Sequence, residues 1–163
     1  MRESEDFERF LLLLGRMNYS WTNTESLLIH FIAGLVGCDK EKAVVVFLTL
    51  NTTRARIDLV ERLAKLERTP EAERERVLAL TAEFLRLATL RNRYNHCIYA
   101  FDSSSGGVRS IMMRISDRKD RIKLGRNDEI DDAAAGEIET SLARLADLNR
   151  RMWRAARELD YPL

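Results

Sequence analysis

Proline occurs twice and glycine seven times in 163 residues, so little in the chain forces a turn and long uninterrupted elements are open to it. Cysteine is as scarce. Cys38 and Cys97 read as free thiols in a reducing compartment, which predicts a cytoplasmic protein. Long apolar runs are missing: Phe10 to Leu14 is too short and too flanked by charge to span a bilayer or serve as a signal segment, and no membrane partner is expected. Charge of one sign is missing as well, since a formal net charge of +1 gives by itself no avidity for nucleic acid or anionic lipid. No internal repeat or low-complexity tract is present. Histidine is limited to His30 and His96, and there is no HExxH, CxxC, EF-hand loop or glycine-rich phosphate loop after a strand. The expectation is therefore no metal and no cofactor. A serine nucleophile would need a placed base, and none is in view.

What is present is 45% apolar and 33% charged residues, the composition of a soluble globular helical protein, in a length that suits one domain over 1–163. Phe7, Leu11, Leu14, Trp21, Leu28 and Ile32 recur at helical spacings behind the acids Glu5 and Asp6. Gly15 weakens this seam, which predicts one long helix to about Leu35 or two stacked ones, closed by Gly34 and Gly37. Asn18 and Glu25 fall on the same seam. Asp39 is placed to cap a second helix through the valine-rich stretch to Leu66, bent at Asn51-Thr52-Thr53, with Arg54 and Arg56 read as surface residues. Thr69-Pro70-Glu71 opens a central helix that runs to about His96.

Beyond it the period changes from helical to alternating. Ile111, Met113 and Ile115, then Arg121 to Leu124, predict a small antiparallel β-hairpin. Between Arg109 and Arg126 lie seven basic and two acidic residues, a formal +5, so the remainder of the chain sums to −4. Arg109, Arg114, Arg118, Lys119, Arg121 and Lys123 are the candidate contacts to RNA phosphates; a solvated edge that discourages aggregation is the competing reading. Asn127 or Asp128 is expected to cap a last helix whose stripe runs from Ile130 to Met152. The fold class expected is all-α: an up-and-down bundle of four to five helices, with the hairpin excursion at about 98–126 inserted before the last helix.

The central helix carries the chemistry. With Arg91 set at 0°, Val77, Leu80, Phe84 and Leu87 lie within about 40° of it, so Arg91 prolongs an apolar stripe. Asn95, Tyr99, Asn92 and His96 follow at about 40°, 80°, 100° and 140°. A guanidinium fork suits a phosphate, an imidazole suits proton transfer, and Asn92 stands one turn before His96, where its amide can orient the ring. Glu25, Asn95 and Tyr99 are supporting candidates by this geometry, Glu25 as a partner of Arg91. A purely structural alternative pairs Arg91 with a core carboxylate such as Glu25 and turns His96 onto a backbone carbonyl. His30, between Ile29 and Phe31, reads as a satisfied core histidine.

Arg-Asn-x-x-x-His at the end of a long bundle helix, followed by a short non-helical excursion, resembles the R-x4–6-H motif of the HEPN superfamily. A polar residue after the arginine is usual there, and Asn92 fits. The helix order agrees over essentially the whole chain, and Trp21 with Glu25 is similar to some bacterial members. The resemblance implies a homodimer with the two motifs facing each other. It also implies a metal-independent endoribonuclease in a toxin or defence setting, with RNA as substrate and a nucleotidyltransferase-like antitoxin as cognate partner. It assigns the catalytic roles to Arg91, Asn92 and His96. The alternative is a non-catalytic module of the same kind that binds a nucleotide, RNA or a protein.

Overall fold

The computed structural model of the protein describes residues 2–101, 108–112, 116–118, 121–123 and 127–163, with side chains described over 7–99, 110–111 and 130–163. Helices α1 (Arg2–Ser26), α2 (Leu28–Val36), α3 (Lys40–Thr49), α4 (Thr53–Ala64) and α5 (Glu71–Asn95) come first. Strands β1 (Cys97–Phe101), β2 (Val108–Met112), β3 (Ser116–Arg118), β4 (Arg121–Lys123) and β5 (Asn127–Glu129) separate them from α6 (Asp132–Glu158). The protein is a helical bundle with a small β excursion before the last helix, as its periodicities require.

Two of the expected helical spans divide. The first breaks at Leu27 rather than at Gly15, which lies inside an unbroken α1. Gly37 ends α2 in the left-handed region at φ 76°, and its N–H and that of Cys38 return to the Gly34 and Ala33 carbonyls at 3.2 and 3.0 Å. Gly34 sits within α2 for another reason: a Cβ there would run into the Tyr161 ring. Asp39 caps α3 by accepting from the Lys42 N–H at 2.9 Å. The second span divides because Thr52 caps α4, accepting from the Ala55 N–H at 3.1 Å. Thr69, by contrast, turns its hydroxyl back to the Leu63 carbonyl.

The chain forms two compact units. One comprises residues 1–18 and 88–142, with a core of Phe10, Leu13, Leu14, Met17, Tyr94, Ala134, Ala135 and Ile138. Its sheet has the antiparallel order β1-β2-β5, with Tyr99 opposite Ser110 and Arg109 opposite Glu129. A separate ribbon pairs β3 with β4, Arg118 opposite Arg121 and Ser116 opposite Lys123. The expected hairpin is present, with more strands around it than the alternation alone implies. The segment at Ile111 pairs with Cys97–Phe101, and Arg121–Lys123 takes its neighbour two residues upstream, where closing the loop costs least. Met113 and Ile115 lie outside the described residues. Asn127 and Asp128 belong to β5, and the cap of α6 is Asp131, which accepts from the Ala134 N–H at 2.8 Å.

The other unit comprises residues 19–87 and 143–163. Trp21 stacks on Phe84 with ring centroids 4.2 Å apart and planes 21° from parallel, and Phe31 meets Tyr161 edge to face. Around them Leu27, Leu28, Ile32, Ile57, Val60, Val77, Leu145, Leu148 and Met152 are buried. His30 is buried too, its Nδ1 2.7 Å from the Pro162 carbonyl. Arg54 is an exposed partner of Asp58, but Arg56 is not a surface residue: it pairs with Glu25 at 3.0 Å and lies 4.0 Å from the Phe47 ring centroid.

Truncating Phe84 should therefore open a cavity beside Trp21. We expect Phe84→Ala to cost about 3–5 kcal/mol, against less than about 0.5 kcal/mol for exposed Leu12→Ala. Urea midpoints at unchanged slope measure both, and equal losses would refute this account of the core.

Candidate functional site

The stripe of α5 is what brings Arg91 to its place. Val77, Leu80, Phe84 and Leu87 are all buried, and the next turn on the same line is Arg91, half-buried within the first unit. A guanidinium there needs acceptors, and α1 supplies one in Asn18. Asn18 Oδ1 accepts from Arg91 Nε at 3.3 Å and from Asn95 Nδ2 at 2.8 Å, while Asn18 Nδ2 donates to Asn95 Oδ1 at 3.0 Å. With the Asn95 amide turned over, its oxygen accepts from Arg91 Nε at 2.8 Å instead. In either orientation two amides and a guanidinium form one cluster between α1 and the end of α5. Arg91 also donates from Nη1 to the Asn92 amide oxygen at 3.1 Å.

The last turn of α5 is anchored on its other side. Tyr94 is buried against Phe10, ring centroids 5.5 Å apart, and Arg93 pairs with Glu137 of α6 at 3.2 Å. The Cys97 thiol donates to the Arg93 carbonyl at 2.9 Å. The helix stops at Asn95, and His96 occupies the single turn residue before β1. Its ring is exposed, as are Asn92 and Asn95. Helical spacing would separate Arg91 and His96 by about 140°, and the turn releases His96 from that constraint.

Among the expected site residues, Arg91, Asn92 and Asn95 are brought together, and His96 follows on the turn. Tyr99 is not part of this cluster. Its ring packs against Phe7 and Phe10, with centroids 6.2 and 5.8 Å away, and its hydroxyl donates to the Tyr94 carbonyl at 3.0 Å. Burial foremost, then the neighbouring Cys97 and Tyr94, pushes its pKa up to about 12. Glu25, expected beside Arg91, is committed to Arg56 in the core of the other unit. Arg109, Arg118, Arg121 and Lys123 lie on strands β2, β3 and β4; Arg114 and Lys119 lie outside the described residues. Asn18, which its spacing places on the apolar seam between Leu14 and Trp21, joins the cluster without being among the expected site residues; an amide on such a seam is the signal for it.

Among the described residues, no three His, Cys, Asp or Glu side chains are grouped as metal ligands would be, and no helix is long and apolar enough to cross a membrane. The cluster offers a positioned cation, and the turn that ends the same helix offers a solvent-facing imidazole: the first suits an anion and the second proton exchange. No protein-family description, curated protein or solved structure matches the chain.

Tyr99 yields a pH prediction. A tyrosine whose folded pKa is raised above its ordinary 10 contributes stability below pH 10 and loses it as pH climbs toward 12. Tyr99→Phe should cost about 1 kcal/mol at neutral pH, the worth of its hydrogen bond. Chemical denaturation between pH 10 and about 12 should show the gap from wild type narrowing, because only wild type has this proton to lose. Parallel curves would mean that the hydroxyl is not held by burial.

Proposed function

We propose that Arg91, Asn92 and His96 form half of a composite ribonuclease site of HEPN type, completed by the same residues of a second copy of the chain. The observation that carries this reading is the ending of α5. Arg91 is fixed by Asn18 and Asn95 on the last full turn, and one residue later the helix releases an exposed imidazole. Support for a second copy comes from α1. Leu11 lies two turns before Asn18 on the same helix face and is 44% exposed, with Leu12 beside it at 57%. Exposed apolar surface on the helix that carries Asn18 is what a two-fold contact would cover.

In this site the ribose 2′-oxygen attacks the phosphorus while His96 takes its proton. Arg91 neutralises the charge on the phosphorane oxygens, and Asn92 holds that guanidinium in line. The bond from phosphorus to the 5′-oxygen then breaks, and the partner's His96 gives the departing oxygen a proton. The products are a 2′,3′-cyclic phosphate and a 5′-hydroxyl, and no step needs a metal ion. A toxin or defence role, a nucleotidyltransferase-like antitoxin and a cytoplasmic location belong to the same proposal.

Incubation with RNA in excess EDTA tests it. Cleavage with a bell-shaped pH dependence is expected, with loss by about 100-fold or more in His96→Ala while the dimer persists in sedimentation. Mixed dimers of wild-type and His96→Ala chains should retain well under half of the activity, and retention of half or more would show that each copy works alone. RNA binding without any cleavage would move the reading to a non-catalytic module. In the same assay, replacing Arg118, Lys119, Arg121 and Lys123 by glutamine should weaken RNA binding and flatten its dependence on salt. An unchanged slope would assign those charges to solubility.

A further inference from the structure

The second half of α6 carries a surface that the Arg91 cluster does not use. Arg150, Trp153, Arg154 and Arg157 recur at i, i+3, i+4 and i+7, so they share one face of the helix. Together with Glu158 they line an open cleft of 480 Å³. The only carboxylate in the lining, Glu158, is already bound by Arg76, which leaves the cleft positive. Arg150 is held by Asp147 at 3.2 Å, and the Arg157 guanidinium stands 5.9 Å from the centroid of the Trp153 ring. That indole is half-buried, with the His30 ring 5.1 Å from it, and His30 is itself fixed by the Pro162 carbonyl. The ring thus has His30 against it and the Arg157 guanidinium over it, and its exposed part lines the open cleft among guanidinium groups.

Cations near a helix C-terminus suit its dipole, and that alone would account for Arg157. It does not account for a partly exposed indole set between three arginines in a concavity. An acidic protein surface would use the charges and leave the ring idle. A single-stranded polynucleotide uses both, because each base offers a π-face and each linkage a phosphate. Arg150 and Arg154 are separated by about 6 Å along the helix axis, and Arg154 and Arg157 by about 4.5 Å, spacings within reach of consecutive phosphates for side chains of this length.

We propose that this α6 cleft binds single-stranded RNA, its arginines taking successive phosphates and Trp153 stacking on a base. The choice of RNA rests on the ribonuclease reading; the match to a single-stranded polyanion with bases does not.

The test uses the full chain carrying His96→Ala, so that binding is read without cleavage and the two readings fail separately. The protein has two tryptophans, and Trp21 is buried against Phe84, so changes in emission report Trp153. Titration with an oligoadenylate of about a dozen nucleotides should quench that emission saturably. The quenching should vanish in Trp153→Phe, which keeps an aromatic ring against His30. Replacing Arg150, Arg154 and Arg157 by glutamine should lower affinity at least about tenfold. It should also reduce the slope of log affinity against log salt by about 2, the value for three single-strand phosphate contacts. Unchanged emission at the fold is checked first from Trp21 in each variant. No quenching, an unchanged slope in the glutamine variant, or equal quenching by a duplex of the same length would overturn the proposal. Equal quenching by polyglutamate would overturn it in favour of an acidic protein partner.

Discussion

Arg91 stands where a leucine would continue the stripe of α5, and a guanidinium in that position must hand its hydrogens to something other than hydrocarbon. The geometry around it follows from that requirement. Asn18 replaces an apolar residue on the facing seam of α1, Asn95 pairs with it amide to amide, and Asn92 takes another of the guanidinium hydrogens. A half-satisfied cluster would cost more than the apolar contacts it displaces, whereas this one also fixes the register of α1 against the end of α5. Tyr94, one residue before Asn95, buries its ring against Phe10 and so holds the same turn from its apolar side. Polar and apolar locks on neighbouring residues leave the helix end little freedom, and the turn residue that follows inherits a defined starting point.

The stripes of α1, α5 and α6 were legible because burial repeats along a helix every three or four residues and each repeat is local. Val77 through Leu87 needed nothing beyond their own spacing. Asp39 was equally plain as a cap, since its partner is the N–H three residues on. The errors fell where the deciding partner is distant in sequence. Cys97–Phe101 looks like the fraying end of a helix until Val108–Met112 is there to pair with it, and that strand is in turn paired on its other edge with Asn127–Glu129. That pairing consumes Asn127 and Asp128 and moves the cap of α6 to Asp131. A strand three residues long carries too few side chains for its period to be seen.

Charge was harder to read than periodicity, for a related reason. Arg54 and Arg56 are two residues apart and look alike in sequence, yet one is a solvated partner of Asp58 and the other a nearly buried cation between Glu25 and the Phe47 ring. The angle of a residue around its helix says which way it faces but not what stands there. Glu25 is legible as a carboxylate on an apolar seam but its partner is not, because Arg56 and Arg91 could both answer it and only tertiary structure chooses Arg56. A buried pair of this kind is costly to break and modest in net worth, so it specifies how α1 and α4 meet more than it adds to stability. Arg91 has amides among its partners instead, and these orient its guanidinium.

That difference in partner bears on what the two arginines can do. A carboxylate neutralises Arg56 and hides it, and what remains is structural. The amide oxygens of Asn18, Asn92 and Asn95 accept hydrogen bonds from Arg91 and carry no formal charge of their own, so their part is to orient the guanidinium. A cation open to water has little electrostatic leverage on a phosphate, because their interaction falls steeply as the effective dielectric rises. Excluding that water is the step that would turn a positioned cation and a free imidazole into a reacting pair. The exposed apolar residues Leu11 and Leu12 lie on the helix that carries Asn18, two turns or less before it, where a second protein surface could dock. In the proposed dimer the site would gain its low dielectric, its shape and its second proton-transfer group in a single event of association.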